Sequence, residues 1–168
     1  MSKSRNLQVT GLTELLTALE ATTADMSVIC TAVCHSGADV AADEMKEQIQ
    51  ALKTTSDDDY GSSSGKRYAY EWEKTGLIES MGIAPVRETG SKIDFKVGFD
   101  GYASGGKASK TYPKGKANAM LANSINTGTS FLIAQPFIKN TLKLCKSSAI
   151  LKMDEELKTE LAKYVNIS

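Results

Sequence analysis

Two thiols and the only imidazole of the chain stand together at Cys30, Cys34 and His35. Four residues make about one helical turn, so on a helix the two sulfurs share a face, and with Cys145 they make the start of a zinc site. The set stops short of the four ligands that a structural zinc needs. No Cys-x-x-Cys knuckle and no second histidine complete it, so thiols buried on a core-facing stripe are the expectation. His35 follows Cys34 directly and therefore points elsewhere around the helix, which argues against a cysteine nucleophile paired with a histidine base.

Three further stretches have the residue types of a binding site. "GSSSGKR" from Gly61 to Arg67 looks like a phosphate-binding loop, whose backbone N–H groups surround an anion while the lysine reaches the outer phosphates. Its glycines are separated by three residues where four are needed, Arg67 takes the place of the magnesium-binding Ser or Thr, and an acidic loop precedes it. A flexible linker is the better account. Asp57, Asp58 and Asp59 offer hard oxygen ligands but lack the spacing and distal glutamate of a calcium loop, so a solvated acidic run is expected. Lys107, Lys110, Lys114 and Lys116, interleaved with Tyr102 and Tyr112, form the concentrated basic segment of the chain. Tyrosine faces stack on bases and lysines neutralise phosphate, so a nucleic-acid-binding module is the alternative reading of this loop; a loop that orders against a protein partner competes with it, as does a plain solvated one.

The elements that must carry these residues follow from periodicity. Leu12, Leu15, Leu16 and Leu19 keep helical spacing in a short first helix, with Glu14 in its first turn. Thr22, Thr23 and Asp25 then cap a long helix of roughly seven turns, whose stripe runs through Met26, Ile29, Cys30, Val33, Val40, Ala41, Met45, Ile49 and Leu52. Gly37 inside that helix costs about 1 kcal/mol relative to alanine, so either a neighbour packs closely there or the helix bends. Residues 54–67 form a polar surface loop without periodicity. Ile93, Phe95, Val97 and Phe99 alternate with Asp94, Lys96 and Gly98, the period of a half-buried strand. The stretch from Leu77 supplies its antiparallel partner through a Glu88-Thr89-Gly90-Ser91 turn, and Pro85 puts that partner at an edge or a bulge. After a second polar loop over 101–116, a short helix through Met120, Leu121, Ser124 and Ile125 ends at Gly128. Pro136 opens a closing helix along Phe137, Leu142, Cys145, Ala149, Met153, Leu157 and Leu161, with a break near Ser147 and Ser148.

The chain of 168 residues is long enough for one domain with one real core. The sum is an α+β fold: a long N-terminal helix and a C-terminal helix packed on a small antiparallel β-sheet, with two long polar loops. Lys plus Arg equals Asp plus Glu at 20 each, so no bulk attraction draws the protein to nucleic acid. The longest apolar run is Phe131 to Ala134, far below the roughly 20 residues that span a bilayer. The first residues lack the apolar centre of a secretory signal, so the protein is expected to be made in the cytoplasm, with its three cysteines as free thiols.

Three segments in order resemble a known family. Gly11-Leu12-Thr13-Glu14-Leu15 precedes the long helix, Thr75-Gly76-Leu77-Ile78-Glu79-Ser80 leads into the hairpin, and Gly128-Thr129 followed by Pro136-Phe137 opens the last helix. Together they resemble bacteriophage tail-completion, neck or head-tail joining proteins. The chain departs from that pattern in lacking a proline shortly before Thr75-Gly76, in having Leu77 directly after Gly76, and in "LANSIN", where an aromatic-rich acidic segment is usual. What the resemblance implies is a structural virion protein of a phage tail or neck. It would form a ring, commonly of six copies, that joins the head connector or stopper to the tail terminator or tail tube, with passing contact to DNA in the lumen. On that reading the protein is no enzyme and needs no cofactor or metal, and no membrane is involved. Unlike faces of successive copies would meet, and the attractive pairing is Asp57, Asp58 and Asp59 against Lys107, Lys110, Lys114 and Lys116 of a neighbour.

Overall fold

A computed structural model of the protein describes residues 26–59, 65–89, 92–103, 110 and 112–164. The short helix expected at Leu12 to Leu19 lies outside these residues. The architecture is α+β, and the described residues form four α-helices and three separate two-stranded β-ribbons.

Helix α1 runs from Met26 to Gln50. At its end Lys74 Nζ donates to the carbonyls of Gln50 and Leu52, a cation placed where helix carbonyls lack partners. The residues that follow are not the featureless loop expected over 54–67. Strand β1 (Thr54–Thr55) pairs in parallel with β2 (Ala69–Tyr70), and a 3₁₀ turn occupies Asp57–Asp59 between them. Periodicity cannot reveal strands of two residues, so β1 falls inside the expected loop and β2 just beyond it has no signal of its own.

Helix α2 (Glu71–Ser80) takes in Leu77 to Ser80, the start of the stretch expected to be an extended partner strand. The helix continues into β3 (Met81–Ile83), which is extended and pairs with β6 (Val97–Phe99), Met81 opposite Phe99. Strands β4 (Arg87–Thr89) and β5 (Lys92–Asp94) make a second antiparallel ribbon, Thr89 opposite Lys92. Glu88 and Thr89 therefore belong to a strand and not to the turn, while Gly90 and Ser91 lie outside the described residues. The predicted alternation survives as burial: Ile93, Phe95, Val97 and Phe99 are half-buried and Asp94 and Lys96 exposed, although Phe95 and Lys96 interrupt the strand. Pro85 separates β3 from β4 and so takes no donor from either ribbon.

The second polar loop is likewise anchored at both ends. Tyr102 bridges Ala117, and the N–H of Ala103, a buried residue, donates to the Lys116 carbonyl at 2.9 Å. Helix α3 (Asn118–Thr127) ends as expected at Gly128, whose φ of 78° and N–H to the Ser124 carbonyl close the turn. A Cβ there would also stand 3.0 Å from the Ala134 nitrogen, so glycine is required twice over. Helix α4 (Phe137–Ala162) starts one residue after Pro136 and runs unbroken through Ser147 and Ser148. Ser148 Oγ donates to the Cys145 carbonyl at 3.1 Å, the way a serine is accommodated inside a helix.

One core joins Met45 and Ile49 of α1 and Leu52 just beyond it to Leu77 of α2, Leu121 and Ile125 of α3, Leu132, and Phe137 at the start of α4. Phe99 meets Phe137 edge-on at 6.3 Å between centroids. Among the described residues, none of α1 before Met45 and none of α4 after Ile138 is a buried member of this core or one of the partly buried apolar residues packed on it. Those parts pair with each other as an antiparallel helical arm. The antiparallel sense follows from two contacts: Lys53 exchanges hydrogen bonds of 2.9 and 3.0 Å with the Gln135 side chain, and farther out a Cβ on Gly37 would stand 2.7 Å from Met153 Sδ. The first of the two alternatives for Gly37, a neighbour at close range, is the one realised.

Candidate assembly surfaces

Arg67, the last residue of the phosphate-loop-like stretch, is bound up in the fold. Its backbone brackets Leu132 in a parallel bridge, taking part in hydrogen bonds with Phe131 and Ile133 of 2.9 and 2.8 Å. Its guanidinium lies 3.7 Å from the centre of the Tyr70 ring and donates to the Tyr68 carbonyl at 2.7 Å and to Glu73 Oε2 at 3.1 Å. Glu73 is 95% buried, and the same oxygen accepts the N–H of Tyr70 at the mouth of α2. This carboxylate thus caps a helix and neutralises a cation in one place. The stretch leads into a structural corner, with no side chain left to reach a phosphate from Arg67.

The extended passage between α3 and α4 is a second corner of the same kind. Thr129 Oγ1 accepts the N–H groups of Phe131 and Leu132 at 3.3 and 3.0 Å, and Asn126 Oδ1 accepts the N–H of Ile138 at 3.1 Å, which caps α4. Phe131 is left half exposed on the outside of that turn.

The acidic run is exposed along its whole length, yet Asp57 already has an internal duty, since its Oδ1 accepts the N–H of Trp72 in the first turn of α2 at 3.3 Å. Of the lysines, Lys107 lies outside the described residues, Lys110 and Lys114 are exposed, and Lys116 is half-buried with its Nζ 3.2 Å from Ser124 Oγ. Tyr102 and Tyr112 are exposed beside them. Among the described residues no ion pair joins Asp57 or Asp58 to Lys110, Lys114 or Lys116.

The thiols do not converge. Gly37 lies opposite Met153, so Cys34 falls three residues to one side of that contact and Cys145 eight residues to the other, roughly 16 Å apart along the arm. Cys145 is buried and Cys30 and Cys34 half-buried, all three free. Burial first and the Cys30 sulfur second push the Cys34 thiol above its ordinary range, the opposite of what a nucleophile requires. His35 Nδ1 is 2.9 Å from Asp39 Oδ2 on the outside of α1, and its ring meets Phe95 edge-on. Among the described residues no group of three or more His, Cys, Asp or Glu side chains is placed to hold a metal, and no helix is long and apolar enough to cross a membrane.

What sequence periodicity missed is the outside of the arm. Leu142, placed on the core face of the closing helix by its spacing, is 63% exposed. Leu144 and Leu151, seven residues apart, form an exposed row along α4, and Ile150 and Leu157 form a second one. Apolar residues cover too many sides of α4 for one neighbour to bury them all, and this excess was the legible signal. The chain matches no known family model, no curated protein and no solved structure.

Proposed function

We propose that this protein is a structural component of a phage tail or neck, which assembles with copies of itself into a ring between the head connector or stopper and the tail terminator or tail tube. The observation that carries this reading is the arm: two long helices joined along one seam, reaching beyond the core, with Leu144 and Leu151 facing outward. A helix must bury its apolar stripes against something, and exposed rows on a rigid projection are what contact between subunits uses. The ordered resemblance at Gly11 to Leu15, Thr75 to Ser80, Gly128-Thr129 and Pro136-Phe137 supplies the kind of particle. Asp58, Lys110 and Lys114, all exposed, are charged side chains that the rim of such an interface would use.

Sedimentation and electron microscopy of the purified protein, alone and with a tail tube, test the reading. Closed rings are expected, and Leu144→Asp with Leu151→Asp should reduce them to monomers that keep their helical circular dichroism. Charge reversal at Asp58 should weaken rings in low salt only. Monomers under every condition, together with salt-dependent retention of DNA lost on changing Lys110 and Lys114, would replace this reading by the nucleic-acid-binding one.

A further inference from the structure

Asn118 opens α3 as a buried residue, 3% exposed, and one end of its side chain has no partner. Its Nδ2 donates to the Asp100 carbonyl at 2.8 Å, which fixes the orientation of the amide. Oδ1, at the other end, is the one buried side-chain oxygen or nitrogen among the described residues that no hydrogen bond satisfies. Leaving a buried acceptor in that state costs free energy, so an orphan of this kind calls for a ligand.

The surroundings say which ligand. Asn118 lines a cavity of about 330 Å³ together with Gly76 and Glu79 of α2, Asp100 and Tyr102. A Cβ on Gly76 would stand 3.8 Å from Oδ1, so the oxygen faces the α2 wall of the cavity and the glycine leaves it uncovered. Every charged group in the lining is an acid. Glu79 stands in the last turn of α2, where the helix dipole disfavours a carboxylate and no basic side chain offsets it. Neither Glu79 nor Asp100 takes part in an ion pair among the described residues. The loop that carries Asp100 is built in advance. Its N–H donates to the Ser80 carbonyl at 2.9 Å, its Oδ1 accepts the N–H of Gly101 at 2.7 Å, and the N–H of Asn118 donates to the Gly101 carbonyl at 3.1 Å.

We infer that this cavity binds a hard divalent cation, calcium, through the Glu79 and Asp100 carboxylates and Asn118 Oδ1. Calcium takes about six to eight oxygen ligands, carboxylate and amide oxygens among them, and water fills the positions that the protein leaves. The lining has no imidazole or thiolate to favour zinc or copper. The partial positive charge at the start of α3 opposes a cation, and two full carboxylates outweigh it. Two charged donors place the affinity at the weak end of calcium sites, about 10⁻⁴–10⁻³ M. The ion would tie together the end of α2, the turn after β6 and the start of α3. This inference does not rest on the ring: it holds for a monomer as well.

Terbium(III), which takes calcium sites and emits when a nearby aromatic ring is excited, tests it on the full chain. Emission sensitised by Tyr102 is expected, with calcium at about 10 mM lowering it severalfold and raising the urea midpoint of the protein. Tyr102→Phe should dim the emission and leave the calcium-induced shift of the midpoint in place. Glu79→Gln with Asp100→Asn removes charge at two exposed positions and keeps the oxygen that accepts from Gly101. This double change should weaken terbium binding by about tenfold or more and abolish the calcium shift, while the midpoint in a chelator stays that of the natural chain. Terbium binding indifferent to the double change would place the ion elsewhere, the exposed run at Asp57 and Asp58 first of all, and overturn the proposal. Emission unchanged in Tyr102→Phe would also overturn it, as would a urea midpoint of the natural chain that does not respond to calcium.

Discussion

Around Glu73 the body of the molecule is fixed by buried polar contacts, whereas along Gly37 and Met153 the arm is fixed by the close approach of two helices. The body joins short elements: strands of two or three residues, helices of ten, and the first turn of α4. Such pieces have little stability of their own, and side chains that reach across the chain hold them. Lys74 closes α1, Gln135 pairs with the backbone of Lys53, Asn126 caps α4, and Arg67 with Glu73 ties the entrance of α2 to the passage before α4. The arm joins long elements by one seam and leaves apolar rows outside. A region closed on itself is a scaffold, and a region with unspent apolar surface is where partners attach.

The contrast is broken most severely at the ion pair. Glu73→Ala leaves the Arg67 guanidinium without its carboxylate in a nearly buried place, with a loss of about 3–5 kcal/mol expected in urea unfolding. Gly37→Val should act on the arm, forcing α1 away from Met153 at a cost of about 1–3 kcal/mol, and Met153→Ala should restore much of it. Hydrogen exchange distinguishes the two changes, since the first loosens the body and the second only the arm. Asp57→Ala removes an acceptor from the first turn of α2 and should cost about 0.5–1 kcal/mol, with Asp58→Ala as a control that leaves the unfolding midpoint in place. The smallest effect is chemical. The raised Cys34 thiol holds less thiolate at pH 8 than an ordinary cysteine, so iodoacetamide should modify it more slowly than an unstructured cysteine peptide, and Cys30→Ala should quicken the reaction slightly.

Periodicity was enough where elements are long or end in a strong signal. The stripe through Ile29, Met45 and Ile49, the left-handed Gly128, and Pro136 before α4 are all found where the sequence points. It failed at α2, where "RYAYEWEK" has a glutamate three residues after Tyr70, half of a capping box that announces a helix start. It failed again at β1 and β2, whose two-residue lengths contain no period, and at the split between β5 and β6, because alternation records which face is buried and not which residues pair.

By itself the sequence determined the mixed class of the fold, the presence of the two long helices and the neutrality of the charge, because these depend on spacing along the chain and on composition. The tertiary structure alone decided that Arg67 serves Glu73 and the Tyr70 ring, that Cys145 stays apart from Cys34, and that Leu142, Leu144 and Leu151 face outward. A residue type states what a side chain prefers. Whether the preference is met depends on which neighbour, distant in sequence, comes within a few ångströms of it.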